Sequence, residues 1–151
     1  MHDLNLAYGS ARRRYSLPMP SARQTVSAAG APPAIGPYSH GVLAEVQAAG
    51  GLLFCSGQIP LDPVTGELVG ATAAEQAHRC LENLSAVCEA AGTSLRQALR
   101  MTVYMTDLAA FAAVNEVYGS FFGEDPPARV AVEVSALPKG AQVEIDAIVL
   151  A

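Results

Sequence analysis

Apolar and polar positions recur along this chain with two different periods, and each period marks its own kind of element. Three β-type segments come first, Gln24–Ser27, Gly41–Gln47 and Leu52–Ser56, and Ala48-Ala49-Gly50-Gly51 carries the glycine pair expected of a hairpin turn between the last two. Pro60, Asp62, Pro63 and Gly66 mark a loop. Beyond it Ala77, Leu81, Leu84, Cys88 and Ala91 recur at steps of four and three, the stripe of a helix with one buried face. Thr72 followed by Glu75 predicts a capping box at its start, in which each side chain satisfies an orphan backbone N–H, and Gly92 predicts its end. Met101, Val103 and Met105 alternate with Thr102, Tyr104 and Thr106 as a half-buried strand. Asp107 is placed to cap a second helix through Phe122, with Phe111, Val114, Tyr118 and Phe121 on one face, and Gly123 with Pro126-Pro127 stops it.

Two strands close the chain. Val130, Val132 and Val134 share one face of the first, and Val143, Ile145, Ala147 and Val149 share one face of the second. The order β-β-β-α-β-α-β-β predicts an α+β layer, a single mixed sheet with both helices burying their stripes on one side. No further element covers the other side, so self-association is the economical answer.

Residues 1–22 break the regularity. They carry Arg12-Arg13-Arg14 with Ser and Pro and no apolar period, and no apolar core of roughly 7–15 residues follows the arginines as a secretory signal requires. An organellar transit peptide fits the Arg and Ser but not Asp3; a disordered tail, or a true start at Met19, fits better. The expectation is an N-terminal extension at 1–22 and one domain at 23–151. With 51% hydrophobic and only 15% charged residues, the composition hints at a buried subunit interface, although much of the excess is Ala. The net charge is −5 even though three of the nine basic residues sit in the extension, so the body of the chain repels a phosphate backbone and nucleic acid is not an expected partner. Cys55, Cys80 and Cys88 are odd in number and form no C-x-x-C pair, which reads as reduced thiols in a cytoplasmic protein. His2, His40 and His78 are too scattered for a metal site, and no apolar run approaches the ~20 residues that cross a bilayer.

Seven collinear pieces carry the chemistry: Ala34-Ile35-Gly36-Pro37-Tyr38-Ser39, Ser56-Gly57-Gln58-Ile59-Pro60, Asn83-Leu84, Val114-Asn115-Glu116-Val117-Tyr118, Pro127-Ala128-Arg129, Leu137-Pro138-Lys139-Gly140 and Glu144-Ile145-Asp146-Ala147-Ile148. In order and spacing they resemble the landmarks of the YjgF/RidA family, also labelled the endoribonuclease L-PSP family. The resemblance implies a chorismate-mutase-like fold, a homotrimer with ligand clefts between subunits, and hydrolytic deamination of 2-imino acids such as 2-iminopropanoate and 2-iminobutanoate, with no cofactor and no metal. It places the family's signature arginine at Arg129, its water-activating glutamate at Glu144, and its other site-lining positions at Tyr38, Ser56, Gly57 and Asn115.

The residue types suit that chemistry. A 2-imino acid sets a carboxylate beside a C=N bond; a guanidinium at Arg129 grips the carboxylate bidentately, and Glu144 positions a water and relays its protons. Tyr38 and Ser56 have hydroxyls to donate to the substrate or adduct, and Gly57 allows close backbone approach. Taken without the family pattern, Arg129 fits a solvated rim, Glu144 a solvated strand face, Tyr38 a turn packing residue, Ser56-Gly57 a strand end and Asn115 a polar helix face, while the cysteines fit a core. Two positions depart from the commonest family pattern: His40 where Gln is frequent, and Ala131 where many members carry Cys, which excludes a mechanism needing a thiol there. If the last two strands formed a hairpin about Pro138, Arg129 would lie roughly 10–13 Å from Glu144. A small substrate could scarcely bridge that, so either the strands are not partners or neighbouring chains complete the cleft. Arg129 alone would serve a non-catalytic carboxylate binder, whereas only a catalyst needs Glu144; a redox-tuned holdase chaperone is a further alternative, and a ribonuclease or translation inhibitor sits badly with the acid balance.

Overall fold

A computed structural model of the chain describes residues 23–34, 39–46 and 50–151. The expected extension at 1–22, the candidate Tyr38 and the Ala48-Ala49 half of the expected turn lie outside them. The elements are β1 (Arg23–Val26), β2 (Gly41–Val46), β3 (Gly50–Gln58), α1 (Ala73–Ala90), β4 (Ala98–Met105), α2 (Phe111–Phe122), β5 (Ala128–Glu133) and β6 (Val143–Leu150). They build one six-stranded sheet in the order β1-β2-β3-β6-β4-β5. All neighbours are antiparallel except β4 and β5, which run parallel because α2 carries the chain back between them. This is the expected mixed sheet with two helices on one face, the chorismate-mutase-like arrangement. The last two strands are not a hairpin: β6 and β5 flank β4 on opposite sides.

Local chemistry sets α1. The Thr72 hydroxyl accepts from Glu75 N at 3.3 Å, while the Glu75 carboxylate accepts from Thr72 N at 3.0 Å and Ala71 N at 2.8 Å. Ala77, Leu81, Leu84 and Cys88 of the predicted stripe are fully buried, widened by Cys80 and Val87, while its last member, Ala91, is half-buried at the C-cap. Each leucine taken out of water there contributes about 1.5–3 kcal/mol. The helix stops where Gly92 takes a φ of +79°, which disfavours any residue with a Cβ. Asn83, wholly buried on α1, donates to the carbonyls of Leu61 at 3.0 Å and Ile59 at 3.4 Å and so ties down the loop that leaves β3.

Three details differ from expectation. Gly50 and Gly51 belong to β3 and not to a turn, because Gly51 and Ala151 exchange backbone hydrogen bonds that draw the glycines into the ladder. Asp107 caps a single 3₁₀ turn at Leu108–Ala110, accepting from Ala109 N at 2.8 Å, and α2 begins only at Phe111. The buried side of α2 is Val114, Tyr118 and Phe122, at an unbroken spacing of four; Phe111 and Phe121 flank it half-buried.

The two sheet faces decide where the chemistry lies. Met101, Val103 and Met105 of β4 and Val143, Ile145, Ala147 and Val149 of β6 turn toward the helices and are almost wholly buried. In β5 the register pairs Arg129 with Met101 and Ala131 with Val103, so these two share the helix side, and Val130 and Val132 point to the open side at 40% and 37% exposure. Ladder partners Leu52 and Leu150, and Phe54 and Ile148, continue that open side, which is apolar and has no covering element among the described residues.

Candidate active site

Glu144 rises from β6 on the open face. Its strand alternates buried and half-buried residues, and Glu144 is one of the half-buried set. Beneath it, β3 is bulged: Cys55 pairs with Ala147 and Gln58 with Ile145, so Ser56 and Gly57 together oppose Asp146 alone. The bulge carries Gly57 directly under the carboxylate. A Cβ there would sit well inside contact distance of Glu144 Oε1 and 3.0 Å from Cδ, so only a glycine leaves the room. Burial raises the Glu144 pKa, and the neighbouring Asp146 charge raises it further. The result is a carboxyl group suited to holding and passing a proton.

Two groups that the sequence reading did not select complete this half. Tyr104 is the ladder partner of Glu144, and its hydroxyl donates to Asp146 Oδ2 at 3.0 Å. Desolvation raises the Tyr104 pKa, and the hydrogen bond to Asp146 adds to it, so the phenol stays protonated as a donor. The alternation of Tyr104 with Met101, Val103 and Met105 was the available signal, since it puts Tyr104 opposite the core. Ser56 is turned otherwise than expected: its hydroxyl donates to the Ser39 carbonyl at 2.7 Å, leaving its lone pairs for a ligand. Just before Gly41, His40 is buried, with Nδ1 accepting from Ala28 N at 2.8 Å and Nε2 donating to Pro32 O at 2.9 Å. Both ring nitrogens are thus used to hold the loop that bears Ser39.

Arg129 and Asn115 form a separate group on the other side of the sheet. The guanidinium carbon lies 4.5 Å from the Tyr118 ring centroid and 5.4 Å from that of Phe111, a double cation–π contact along α2. Among the described residues no carboxylate lies within ion-pair reach of it. Asn115 sits between Phe111 and Tyr118 on the same helix, and its buried Oδ1 has no hydrogen-bond partner; neither has the Tyr118 hydroxyl. Burial raises the Tyr118 pKa, an effect the Arg129 charge partly offsets.

The structure therefore brings Glu144, Gly57 and Ser56 together and seats Arg129 against the helix that carries Asn115, but it puts the two groups on opposite faces of one sheet. Cys55, Cys80 and Cys88 are free and buried, as a core reading of the cysteines expects. No group of His, Cys, Asp and Glu among the described residues is arranged to hold a metal ion, and no helix there is long and apolar enough to cross a membrane.

Comparison with known proteins places the chain among relatives along most of its length. The family model described as endoribonuclease L-PSP matches residues 28–151. A RutC family protein, y4sK of Sinorhizobium fredii, is 50% identical over 126 residues, covering 83% of this chain and 96% of that protein. The human 2-iminobutanoate/2-iminopropanoate deaminase is 41% identical over 128 residues, covering 85% of this chain and 90% of that protein. The crystal structure of RidA from the Antarctic bacterium Psychrobacter sp. PAMC 21119 superposes with a TM-score of 0.76 at 42% identity, covering 85% of this chain and 99% of that one.

Proposed function

The chain belongs to the YjgF/RidA family, and from that premise we propose that it is a hydrolytic deaminase converting 2-iminopropanoate and 2-iminobutanoate to the corresponding 2-keto acids and ammonia. The observation that carries this reading is the Glu144 carboxyl group, desolvated, held over Gly57 and facing an open apolar surface. A water held by Glu144 attacks the imine carbon and gives up a proton to the carboxylate. Glu144 returns that proton to the nitrogen to give a carbinolamine, then takes the remaining hydroxyl proton and delivers it to the amine, so that the C=O bond forms as the C–N bond breaks and the keto acid and ammonia leave. Arg129 holds the substrate carboxylate, its fork kept in plane by the Tyr118 and Phe111 rings. The lone pairs of Ser56 line the imine end, Tyr38 is assigned to substrate binding on the family pattern alone, and Asn115 offers an unpartnered amide oxygen on the Arg129 side of the sheet. Acid–base help worth roughly 10²–10⁴-fold suffices for imines, which hydrolyse in water unaided, so the chemistry calls for no metal or cofactor.

Assembly follows from the same geometry. No small molecule reaches Arg129 and Glu144 through a sheet, so one substrate touches both only where two copies meet. The open apolar face and the edge strand β5 are the surfaces for that contact, and a homotrimer with three inter-subunit clefts uses both. The acidic body of the chain speaks against a nucleic-acid substrate, and its three reduced thiols suit the cytoplasm.

The test is direct. 2-Iminopropanoate is generated with an amino-acid oxidase, the remainder is trapped with semicarbazide, and the wild type is compared with Arg129→Ala and Glu144→Ala. Both variants lose the acceleration and remain trimeric. Full activity in Glu144→Ala removes the water-activating role, and a monomeric wild type removes the shared cleft.

A further inference from the structure

The open face holds a second carboxylate whose role the deamination chemistry leaves unassigned. Asp146 lies two residues from Glu144 on β6, so the two side chains share that face. Tyr104 faces Glu144 across the ladder and reaches diagonally to Asp146, donating its hydroxyl to Oδ2 at 3.0 Å. Asp146 itself is opposed by the Ser56-Gly57 bulge, the feature that seats Glu144. The phenol thus fixes an acidic oxygen beside the catalytic carboxyl group, where a free aspartate would swing toward water.

We propose that Tyr104 and Asp146 are positioning residues: Tyr104 pins the Asp146 carboxylate as a fixed negative charge beside Glu144, and this makes Glu144 the member of the pair that carries the proton. The inference rests on the reading of Glu144 as the water-activating group. A negative charge held in place on the same face disfavours a second one at Glu144. The remaining surroundings agree. β3 brings Gly57 and no charge to Glu144, and Arg100 of β4 is paired with Ile148, four residues away. From the helix side, the Cys80 thiol of α1 is turned to the Val143 carbonyl at 3.6 Å. Among the described residues no cation offsets Asp146 by an ion pair.

The experiment follows Glu144 itself as well as turnover. Full-length protein with ¹³C-labelled carboxyl groups is titrated by NMR, with the Glu144 signal assigned through Glu144→Gln, and kcat/KM for 2-iminopropanoate is measured against pH. Asp146→Asn keeps the shape and the acceptor for Tyr104 but removes the charge, and it moves the Glu144 midpoint to lower pH. Tyr104→Phe frees the aspartate and moves the midpoint the same way by less. The acid limb of kcat/KM follows both. A Glu144 midpoint unmoved in Asp146→Asn overturns the proposal, as does a larger movement in Tyr104→Phe than in Asp146→Asn. Should Asp146→Asn fail to fold, the direction of the Tyr104→Phe shift decides alone. Wild-type turnover in Glu144→Gln sinks the deaminase mechanism while leaving the carboxyl titrations to judge the clamp, so the two failures are distinguishable.

Discussion

Gly57→Ala separates catalytic geometry from stability. Gly57 does not use a left-handed φ, so its backbone accepts an alanine, and the added methyl meets only the end of the Glu144 side chain. The new carbon would stand 3.0 Å from Glu144 Cδ and closer still to Oε1. Carbon atoms settle at about 3.5–4.0 Å and a carbon–oxygen pair only slightly closer, so the Oε1 contact governs and the carboxyl group must retreat by roughly 1 Å or more. It does so by rotating on a flexible stem, which costs the fold little; replacing a strand glycine by alanine returns roughly 0.5–1 kcal/mol through lower chain entropy. A displacement of that size at a group that must align a water costs about 10²-fold in rate, ~2.7 kcal/mol of transition-state stabilisation. The expected outcome is a hundredfold fall in kcat/KM for 2-iminopropanoate, by the semicarbazide-trapping assay, with thermal unfolding within a few degrees of the wild type. Wild-type kcat/KM in a stably folded Gly57→Ala refutes the reasoning, because Glu144 would then be displaced without consequence. A collapse of Tm refutes it differently, by showing that the glycine serves the backbone.

Three further outcomes follow. If the cleft takes Arg129 from one copy and Glu144 from another, a trimer mixture of Arg129→Ala and Glu144→Ala chains, exchanged at equal amounts, regains activity in about one quarter of its clefts by random assortment, although each parent is inactive; gel filtration and the trapping assay read it. Because the folded-state pKa of Glu144 is raised, the folded protein binds more protons than the unfolded chain just above the ordinary carboxylate range, so stability falls as pH rises through that window. Glu144→Gln removes this loss and melts higher than the wild type at pH 8, but not at pH 4. Thr72→Ala breaks the capping box of α1 and lowers stability by about 1 kcal/mol in urea unfolding, with kcat/KM unchanged because the exposed Thr72 hydroxyl bonds only to Glu75 N within the cap.

Period and punctuation were enough for the elements. The steps of four and three in α1, its Thr72 and Glu75 box and the alternation in β4 and β6 act between residues a few positions apart, so the string of residues carries them in full. The family landmarks brought Arg129, Glu144, Gly57, Ser56 and Asn115 into view in the same way, as words in a fixed order. What alternation cannot say is which side is which. Val130 and Val132 look like a core stripe, and reading them so puts Arg129 and Glu144 both opposite the core. The parallel register of β5 on β4 instead turns the valines outward and Arg129 toward α2, so the two residues part company across the sheet. Likewise nothing local distinguishes Ser56-Gly57 as a strand end from a bulge; the two-against-one pairing with β6 makes it a seat for Glu144. Strand direction, register and facing are set by partners tens of residues away, and a valine is equally content against a helix or against another copy of its own chain. That choice belongs to the assembled sheet, and the catalytic arrangement depends on it.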